Sequence, residues 1–423
     1  MGIFARAAVK VFDQGVGTLA AGSHIFQIGG GRSVTGLSIT TERAFRYSAF
    51  WAAVRILAGS VALLPLSVYR LTSDGSRQIV REHPVHRVIH DVFNPRMASF
   101  TGREVGMAHV LTWGNAIFLQ ARDANGSLRE LWPLAIDRVE IKTDTAGEPL
   151  YRYRRSDGQE REFSGRQIFN VPGFSWDGVQ GYSVIRQARE TIGLGLAAEE
   201  HGARFFGNGA TSNFALSTPN KLSQPAFEHL SAQVKDEKTG LANAWKPWIL
   251  EEGLEPKVLS MPNDDAQWLE TRKHQVTDIA RWFLMQPHML ADLERATFSN
   301  IEHQALEFVK YTLMPWLVRW EQAIGMQLLL DEWTGYGGDL YAKFNVAALE
   351  RADIKTRFDS YATGRQWGFI NGDKIAELED WDKFPGGEDY LVPMNMTTVN
   401  PDGSITTTTM ISRNGTRPEG VVV

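Results

Sequence analysis

Residues 264 to 316 read DDAQWLETRKHQVTDIARWFLMQPHMLADLERATFSNIEHQALEFVKYTLMPW, a pattern that predicts two helices and a long loop between them. In the first helix, Val276, Ile279 and Phe283 keep helical spacing, and Pro287 stops it. The second helix has its apolar series at Leu306, Val309, Leu313, Trp316, Leu317, Trp320 and Ile324. The loop from Gln286 to Ser299 has about a dozen residues, and helix connections of that length are usually functional or disordered.

Several short pieces of the chain also follow a known family pattern. In this segment the pieces are Leu269–Lys273 (LETRK), Ile279–Arg281 (IAR), Ala296–Glu302 (ATFSNIE) and Thr312–Pro315 (TLMP). Other pieces match in the same order, at Ser48–Arg55, Leu64–Arg70, His83–Pro84, Asn94–Pro95, Trp113–Ala116, Gly181–Ser183, Phe205–Ala210, Asp353–Lys355 and Gly386–Gly387. Together they resemble the portal proteins of tailed phages, in the branch related to the lambdoid phage HK97. Each piece is short, so the specificity lies in their order over residues 42 to 395.

Composition narrows the classes of function open to the chain. Its 423 residues suggest roughly three domains. A net charge of −5 is not typical of a protein that holds DNA tightly, because such proteins usually carry a basic patch. The sequence has no cysteine, which excludes disulfides, thiolate catalysis and cysteine-held metal clusters. No apolar run reaches the ~18 residues of a membrane span, so we expect no membrane partner.

The pattern from Tyr47 onward predicts an α+β fold. Helical spacing predicts a helix over Tyr47–Val61 that ends before Pro65, followed by a strand at Leu66–Tyr69. Five short strands are expected at Ala116–Arg122, Leu128–Leu134, Val139–Lys142, Tyr151–Arg155 and Gln167–Val171. The dipeptides Asn125-Gly126 and Asp157-Gly158 are typical of hairpin turns. We therefore expect an antiparallel meander flanked by helices.

The helix expected over Ser183–Phe206 is rich in small residues. An interior glycine costs about 1 kcal/mol relative to alanine in a helix, so several glycines need compensation. Close approach of a neighbouring backbone supplies it, because small residues let helices pack tightly. We predict stem packing positions at Ala188, Gly195 and Gly202.

The resemblance implies a portal fold with a wing, a stem, a clip and a crown, and long stem helices. The implied division is a disordered N-terminal arm at 1–41, the wing at 42–180, a stem helix at 181–208, the clip at 209–262, a second stem helix at 263–285, the tunnel loop at 286–299, a helix and strand returning to the wing at 300–347, the crown at 348–394 and a disordered tail at 395–423.

The resemblance also implies a function, that of a portal or head–tail connector subunit of a phage, a prophage or a gene transfer agent. Such subunits form a dodecameric ring at one capsid vertex, through which double-stranded DNA is packaged and ejected. The implied partners are other copies of the chain, the large terminase, the major capsid protein, the scaffold and the head–tail adaptor. The implied location is the virion, after assembly in the bacterial host cytoplasm. No cofactor is expected, since the packaging ATPase belongs to the terminase.

Two segments carry the residues expected to meet DNA and partner proteins. In the tunnel loop the side chains that can contact phosphate are Gln286, His288, Arg295, Thr297, Ser299 and Asn300. For Ser299 we favour helix capping, because Ser299 and Glu302 have capping-box spacing. In the clip, the residues expected to face a partner are Trp245, Trp248, Glu251 and Glu252.

The sequence contains few residue patterns typical of catalytic or metal-binding sites. His86 and His90 have the i, i+4 spacing of a zinc-binding pair, with His83 nearby. The chain has no HExxH motif and no obvious third ligand, so we favour structural roles and predict no metal. Phosphate-loop and nucleophile-elbow motifs are also absent from the sequence. Two alternatives to a portal stay open at this point: a virion structural or adaptor protein without a channel, and a metal-dependent nucleic-acid-processing enzyme.

Overall fold

A computed structural model describes residues 31–73, 75–143, 147–207, 214–217, 223–225, 227–228, 255–258, 265–290, 306–346, 354–379, 381–391, 397–399 and 405–407. The chain divides into a larger unit that ends at Asn345 and a smaller unit that begins at Val346.

The elements alternate between helices and short strands. The helices are α1 (Thr41–Arg46), α2 (Ser48–Leu63), α3 (Pro84–His90), α4 (Ser99–Trp113), α5 (Val184–Gln187), α6 (Arg189–Gly207), α7 (Asp265–Trp282), α8 (Met314–Ile324), α9 (Ile354–Gln366) and α10 (Gly372–Leu378). The strands are β1 (Gly31–Arg32), β2 (Ser38–Ile39), β3 (Leu66–Leu71), β4 (Arg77–Ile79), β5 (Val92–Asn94), β6 (Met97–Ala98), β7 (Asn115–Arg122), β8 (Leu128–Pro133), β9 (Val139–Thr143), β10 (Pro149–Arg154), β11 (Glu160–Ser164), β12 (Ile168–Pro172), β13 (Phe214–Ser217), β14 (Glu255–Val258), β15 (Leu340–Phe344), β16 (Thr397–Val399) and β17 (Ile405–Thr407).

The first described residues form a small hairpin instead of the disordered arm expected over 1–41. β1 pairs with β2, and α1 follows at once. The Val34 amide donates to Oε2 of Glu190 at 2.9 Å. Ser33 lies so close to Gly193 that a Cβ there would come within 2.6 Å of the Ser33 hydroxyl oxygen. The hairpin is therefore held against α6 because Gly193 has no side chain; residues 1–30 lie outside the described residues.

The predicted helix after Tyr47 and the strand after Pro65 are confirmed as α2 and β3. α2 buries Phe50, Val54, Leu57 and Val61. β3 is the central strand of an antiparallel sheet with the order β4–β3–β15, so the strand near Tyr341 returns to the start of the unit.

A buried arginine joins the ends of two helices beside this sheet. The Arg103 guanidinium donates to the carbonyl oxygens of Ile89 at 2.6 Å and Ala62 at 2.8 Å, at the C-terminal ends of α3 and α2. These carbonyls have no partner within their own helices, so the cation satisfies them and is favoured by the helix dipoles. Burial lowers the pKa of Arg103 to about 10.

The expected strands of the meander form, but they belong to two sheets. β12 pairs with β7, and β7 with β8, whereas β9, β10 and β11 form a separate sheet. The strand β11 was not predicted, because its sequence EREFS buries only Phe163. The two expected turns are present, since Gly126 bonds back to Asp123 at 3.0 Å and Gly158 to Arg155 at 3.1 Å.

The long helix that begins near Leu306 crosses the β12–β7–β8 sheet. It has a π-helical turn at Phe308–Leu313, then α8, then a second π-helical turn at Gly325–Leu329. Pro315 lacks an amide hydrogen and so cannot complete the helical ladder at this point, directly after the first π-helical turn. Trp320 packs on Phe118 and Phe169 of the sheet, with ring centroids 6.2 and 5.9 Å away.

The edge strand β12 is closed by side chains of the same long helical segment. The Gln327 side chain accepts from the Asn170 amide and donates to the Asn170 carbonyl oxygen, both at 2.8 Å. Arg319 donates to the Gly173 carbonyl oxygen at 2.9 Å. The Gln327 amide thus makes the two bonds that a neighbouring strand would make at Asn170.

The smaller unit is organised around a carboxylate. Glu379 accepts from the Tyr361 hydroxyl at 2.8 Å and pairs with Arg357 at 2.7 Å, which ties the end of α10 to α9. Asn371 caps α10 by accepting from the Lys374 amide at 2.9 Å. This unit contains the residues assigned to the crown, whose boundaries stay a prediction.

Candidate functional site

Helices α6 and α7 run side by side in opposite directions. The Trp282 indole nitrogen donates to the Thr191 hydroxyl at 3.2 Å. Farther along, the Arg272 guanidinium lies 3.6 Å from Oε1 of Glu199. Residue numbers rise along α6 while they fall along α7 at these two contacts, so the helices form an antiparallel hairpin, which is the arrangement expected of two stem helices.

The small residues of α6 serve packing within the subunit. Ala188 is 1% exposed, and Gly202 is buried. At Gly195 a Cβ would come within 2.6 Å of the Tyr47 ring, so the glycine admits this ring and not a second helix backbone. Burial, assisted by the negative charge of Glu199, raises the pKa of Tyr47 to about 12. The neutral phenol is therefore a permanent part of the contact between α6 and the segment before α2.

The end of α7 has an unusual backbone. Leu284 has φ +53°, in the left-handed region where helices commonly end on glycine. The Met285 amide donates to the Ala280 carbonyl oxygen at 2.9 Å, and the Thr312 hydroxyl donates to the Leu284 carbonyl oxygen. Phe283 is buried against Phe50, with ring centroids 5.5 Å apart. The helix therefore ends at a fixed point between α2 and the long helix.

Of the six side chains predicted for the tunnel loop, Gln286 and His288 belong to the described residues, just after α7. Gln286 donates to Oε2 of Glu307 at 3.0 Å, which joins the start of the loop to the helical segment that begins near Leu306. His288 is half-buried in the 3₁₀ turn Pro287–Leu290. Arg295, Thr297, Ser299 and Asn300 lie outside the described residues, as do the four clip residues Trp245, Trp248, Glu251 and Glu252. Their roles stay predictions.

Sequence reasoning missed three residues at this base: Leu284, Glu307 and Thr312. A leucine before a methionine gives no sign of a left-handed conformation, because residues other than glycine rarely adopt it. Glu307 and Thr312 are ordinary helix residues by spacing, and their bonds join positions 21 and 28 residues apart. The Gln286-Pro287 dipeptide was the one local signal, since it marked the end of the helix.

With this geometry in place, comparison with known proteins identifies the fold. A family model described as phage portal protein matches residues 48–380. The chain belongs to the phage portal protein family. It is 30% identical over 357 residues to the portal protein of Enterobacteria phage HK97, an alignment that covers 83% of this chain and 82% of that one.

Two solved structures have the same portal fold. One is a chain from the neck of a native gene transfer agent particle computed with C12 symmetry, with a TM-score of 0.54, 21% identity, and coverage of 81% of this chain and 92% of that chain. The other is an HK97-family phage portal protein from Corynebacterium diphtheriae, with a TM-score of 0.54, 18% identity, and coverage of 76% and 99%.

Membership in the portal family confirms the predicted family, the α+β portal fold and the function as a portal subunit. A portal protein is structural and is not an enzyme. The family match therefore favours the portal over both alternatives, the adaptor without a channel and the metal-dependent enzyme.

The histidines of the portal chain hold local structure. His86 and His90 stack with ring centroids 4.8 Å apart, and Nδ1 of His86 accepts from the Val68 amide at 3.2 Å. His83 accepts from the Val85 amide at 3.2 Å and so caps α3. Burial, assisted by neighbouring His90, lowers the pKa of His86. These bonds support the structural roles that the sequence favoured, and no trio of potential ligands occurs within the described ranges.

In the parts of the portal chain that the structure describes, no helix combines the length and the apolar character needed to cross a bilayer.

Proposed function

We propose that twelve copies of this portal subunit assemble side by side into a ring at one capsid vertex, with a central channel for double-stranded DNA. A ring arises when one surface of a subunit meets a different surface of the next and the rotation closes. The similar gene transfer agent chain belongs to a neck computed with C12 symmetry, which supports the number. The 30% identity to the HK97 portal protein is the observation that carries the proposal.

The antiparallel pair of α6 and α7 is the stem in this proposal. The clip lies at 209–262, between these helices along the chain, and the tunnel loop at 286–299 follows α7. Gln286, at the start of that loop, bonds to Glu307 of the helical segment that follows it, which supports a fixed base for the loop. The wing at 42–180 and the crown at 348–394 complete the proposed division.

The channel would guide DNA without holding it. Affinity for DNA comes largely from counterion release at each phosphate that Lys or Arg neutralises, so a strongly basic lining would retain the duplex. A net charge of −5 is suited to a conduit. In the tunnel loop, Gln286, Thr297 and Asn300 can bond phosphate without charge, and Arg295 and His288 would make brief ionic contacts.

The remaining surfaces would bind the proteins of assembly. The clip, with Trp245, Trp248, Glu251 and Glu252, would dock the large terminase during packaging and the head–tail adaptor afterwards. The outer surface would meet the scaffold and the major capsid protein. Assembly in the bacterial host cytoplasm agrees with a chain that has no cysteine.

Electron microscopy of the purified full-length chain tests the ring, combined with mass measurement of the assembled particles. We expect rings with a central hole and a mass of twelve subunits. A chain that stays monomeric at every concentration, or that forms open filaments, would contradict the proposal.

The DNA channel is tested separately with Arg295→Ala in a packaging assay. We expect rings to form normally and the rate of packaging or the retention of packaged DNA to change by about 2-fold or more, since one phosphate contact per subunit is lost. Arg129→Ala is the matched control, because Arg129 is an exposed wing residue paired with Asp123 at 2.7 Å. Unchanged packaging and retention in the Arg295 variant would remove Arg295 from the channel.

A further inference from the structure

A cavity of about 710 Å³ lies beside α5. Among its lining residues, Trp113 at the end of α4 and Ile136 provide apolar walls. Tyr182, Arg186 and Gln187 line it from the loop after β12 and from α5 itself. We call the space between these five residues the α5 cavity. Pockets of ~300–1,000 Å³ enclose most of a bound ligand, so the α5 cavity has room for several side chains of a peptide.

The wall that carries Tyr182 is held in a fixed position. The Gly181 amide donates to Oδ1 of Asn115 at 2.9 Å, and the Asn115 side-chain nitrogen donates to the Val179 carbonyl oxygen at 2.8 Å. Gly114 has φ +90°, and a Cβ there would clash with the Gly181 carbonyl oxygen. The α5 cavity is therefore preformed, because its loop is bonded to the start of β7 and packed against backbone.

The charges on the lining favour a peptide over a nucleic acid. Arg189 is paired with Oε1 of Glu190 at 3.0 Å, and the Asp177 carboxylate accepts from two backbone amides at 2.8 Å. Arg186 is the lining cation whose guanidinium has no partner among the described residues. Nucleic-acid sites are built from several cations, whereas a peptide offers apolar side chains for the walls and carbonyl oxygens for one arginine.

The described part of the chain begins at the edge of this cavity. The β1–β2 hairpin is held on α6 through the Val34 amide and through Ser33, as described above. A Cβ at Gly31 would lie 3.4 Å from the Arg189 guanidinium, and Arg189 itself lines the cavity. The residues that precede Gly31 in the sequence are therefore attached directly beside the α5 cavity.

The sequence just before Gly31 has the composition that the cavity requires. Residues 25–28 read IFQI, which gives three large apolar side chains and no charge. Isoleucine and phenylalanine favour extended backbone. An extended chain advances ~3.3 Å per residue, so Phe26 can lie up to about 17 Å from Gly31. That reach brings Phe26 into the cavity from its edge.

Attachment favours this segment over a segment of any other protein. A group held on a short linker has an effective concentration in the millimolar range, which a separate partner would have to exceed. We propose that residues 25–28 of the same chain occupy the α5 cavity, with Phe26 packed against Trp113 and Tyr182 and carbonyl oxygens of the segment accepting from Arg186. The contact lies within one subunit and does not depend on the ring.

Hydroxyl-radical labelling of the dissociated full-length subunit, read by mass spectrometry, measures the exposure of Tyr182 in solution. Phe26→Ala should raise the labelling rate of Tyr182 at least ~3-fold relative to Tyr336, because the largest apolar side chain of the segment is lost. Tyr336 is a suitable reference, since it is 57% exposed and does not line the cavity. Phe4→Ala is the matched control, with the same substitution outside residues 25–28, and should leave the rate unchanged.

A disulfide tests whether the segment belongs to the same copy. The chain has no cysteine, so Gln27→Cys with Gln187→Cys introduces the only two thiols. Under mild oxidation we expect a disulfide within one chain, detected by intact mass. Adding Phe26→Ala should slow its formation at least ~5-fold, although the linker keeps the same length and loop closure costs the same.

Three results would overturn the proposal. One is an unchanged labelling rate of Tyr182 in Phe26→Ala, and another is an equal rise in Phe4→Ala. The third is a disulfide between two chains, which would place the segment of a neighbouring copy in the cavity. Both measurements use the dissociated subunit, so their outcome is separate from the test of the ring.

Discussion

The proposed wing and the proposed stem use their large apolar side chains in opposite ways. In the wing, Trp320, Phe118 and Phe169 are buried together against the sheet. On the stem, Leu284, Trp282 and Leu194 are exposed. The sheet core is therefore complete within one subunit, whereas the exposed side chains of α6 and α7 contribute little to the core of their own subunit. Substitutions of the buried side chains should therefore lower the stability of the subunit more than substitutions at the exposed positions of α6 and α7.

The largest expected effect comes from emptying the wing core. Trp320 is 1% exposed and contacts the Met107 sulfur through its indole nitrogen at 3.1 Å. Trp320→Ala should lower the free energy of unfolding by about 3–5 kcal/mol, because it removes a large buried ring and leaves a cavity. Chemical denaturation of the dissociated subunit measures the loss.

Trp176→Ala is the control for that experiment, since Trp176 is 85% exposed and should cost less than ~0.5 kcal/mol. Equal losses in the two variants would show that the wing does not derive its stability from its core, and the contrast with the stem would disappear.

A smaller effect is expected from pH, through His109 of α4. Its Nδ1 atom is inaccessible and has no hydrogen-bond partner, although the residue as a whole is only half-buried. Burial lowers its pKa to about 4. The folded value lies below the unfolded one, so the unfolded chain binds the proton more readily between about pH 6.5 and pH 4. The His109 contribution to the free energy of unfolding, about 3 kcal/mol, is fully present above pH 6.5. It is lost as the pH falls towards 4.

His109→Phe should remove this part of the acid dependence and keep a ring beside Trp113, whose centroid lies 5.0 Å from the His109 ring. Unfolding free energies measured from pH 7 to pH 4 check the difference. His201→Phe, at an exposed position of α6, should leave the profile unchanged. The assignment fails if the His109 variant and the unaltered chain lose stability in parallel.

The smallest effect concerns the base of the tunnel loop. Thr312→Val keeps the shape of the side chain but leaves the Leu284 carbonyl oxygen without the hydroxyl. We expect a loss of about 1 kcal/mol in the unfolding free energy. In the control Thr363→Val, the lost bond is an exposed one to the Asp359 carbonyl oxygen within α9, so little change is expected. If both variants are neutral, the Thr312 bond does not hold the end of α7.

Local sequence patterns were sufficient to predict many elements of the proposed wing. Apolar spacing located α2 and β3, and turn dipeptides located the hairpins at Gly126 and Gly158. It could not assign β12 to the sheet of β7, because β12 pairs with a strand far earlier in the chain, across the separate β9–β10–β11 sheet, and no local pattern specifies such a pairing. β11 was not predicted because a strand with one buried side chain shows no clear alternation of apolar and polar residues.

The candidate site was less accessible to sequence reasoning. The small residues of α6 were recognised, but the partner at Gly195 is the Tyr47 ring, and a residue so distant in sequence leaves no periodic signal. The left-handed conformation of Leu284 could not be predicted, because it depends on how α7 ends against Phe50 and Thr312. Order in the β1–β2 hairpin depends likewise on Gly193, which no nearby pattern indicates.

The bonds from Gln327 to the backbone of β12 have their greatest effect when many copies of the sheet lie close together. An open sheet edge can recruit a strand from another molecule, and such pairing leads to aggregation. At Asn170, in the middle of β12, the Gln327 amide already occupies both backbone groups, and Pro172 at the end of the strand has no amide hydrogen to offer. Neighbouring subunits can therefore lie close together in the proposed ring without adding a strand to this edge of the sheet.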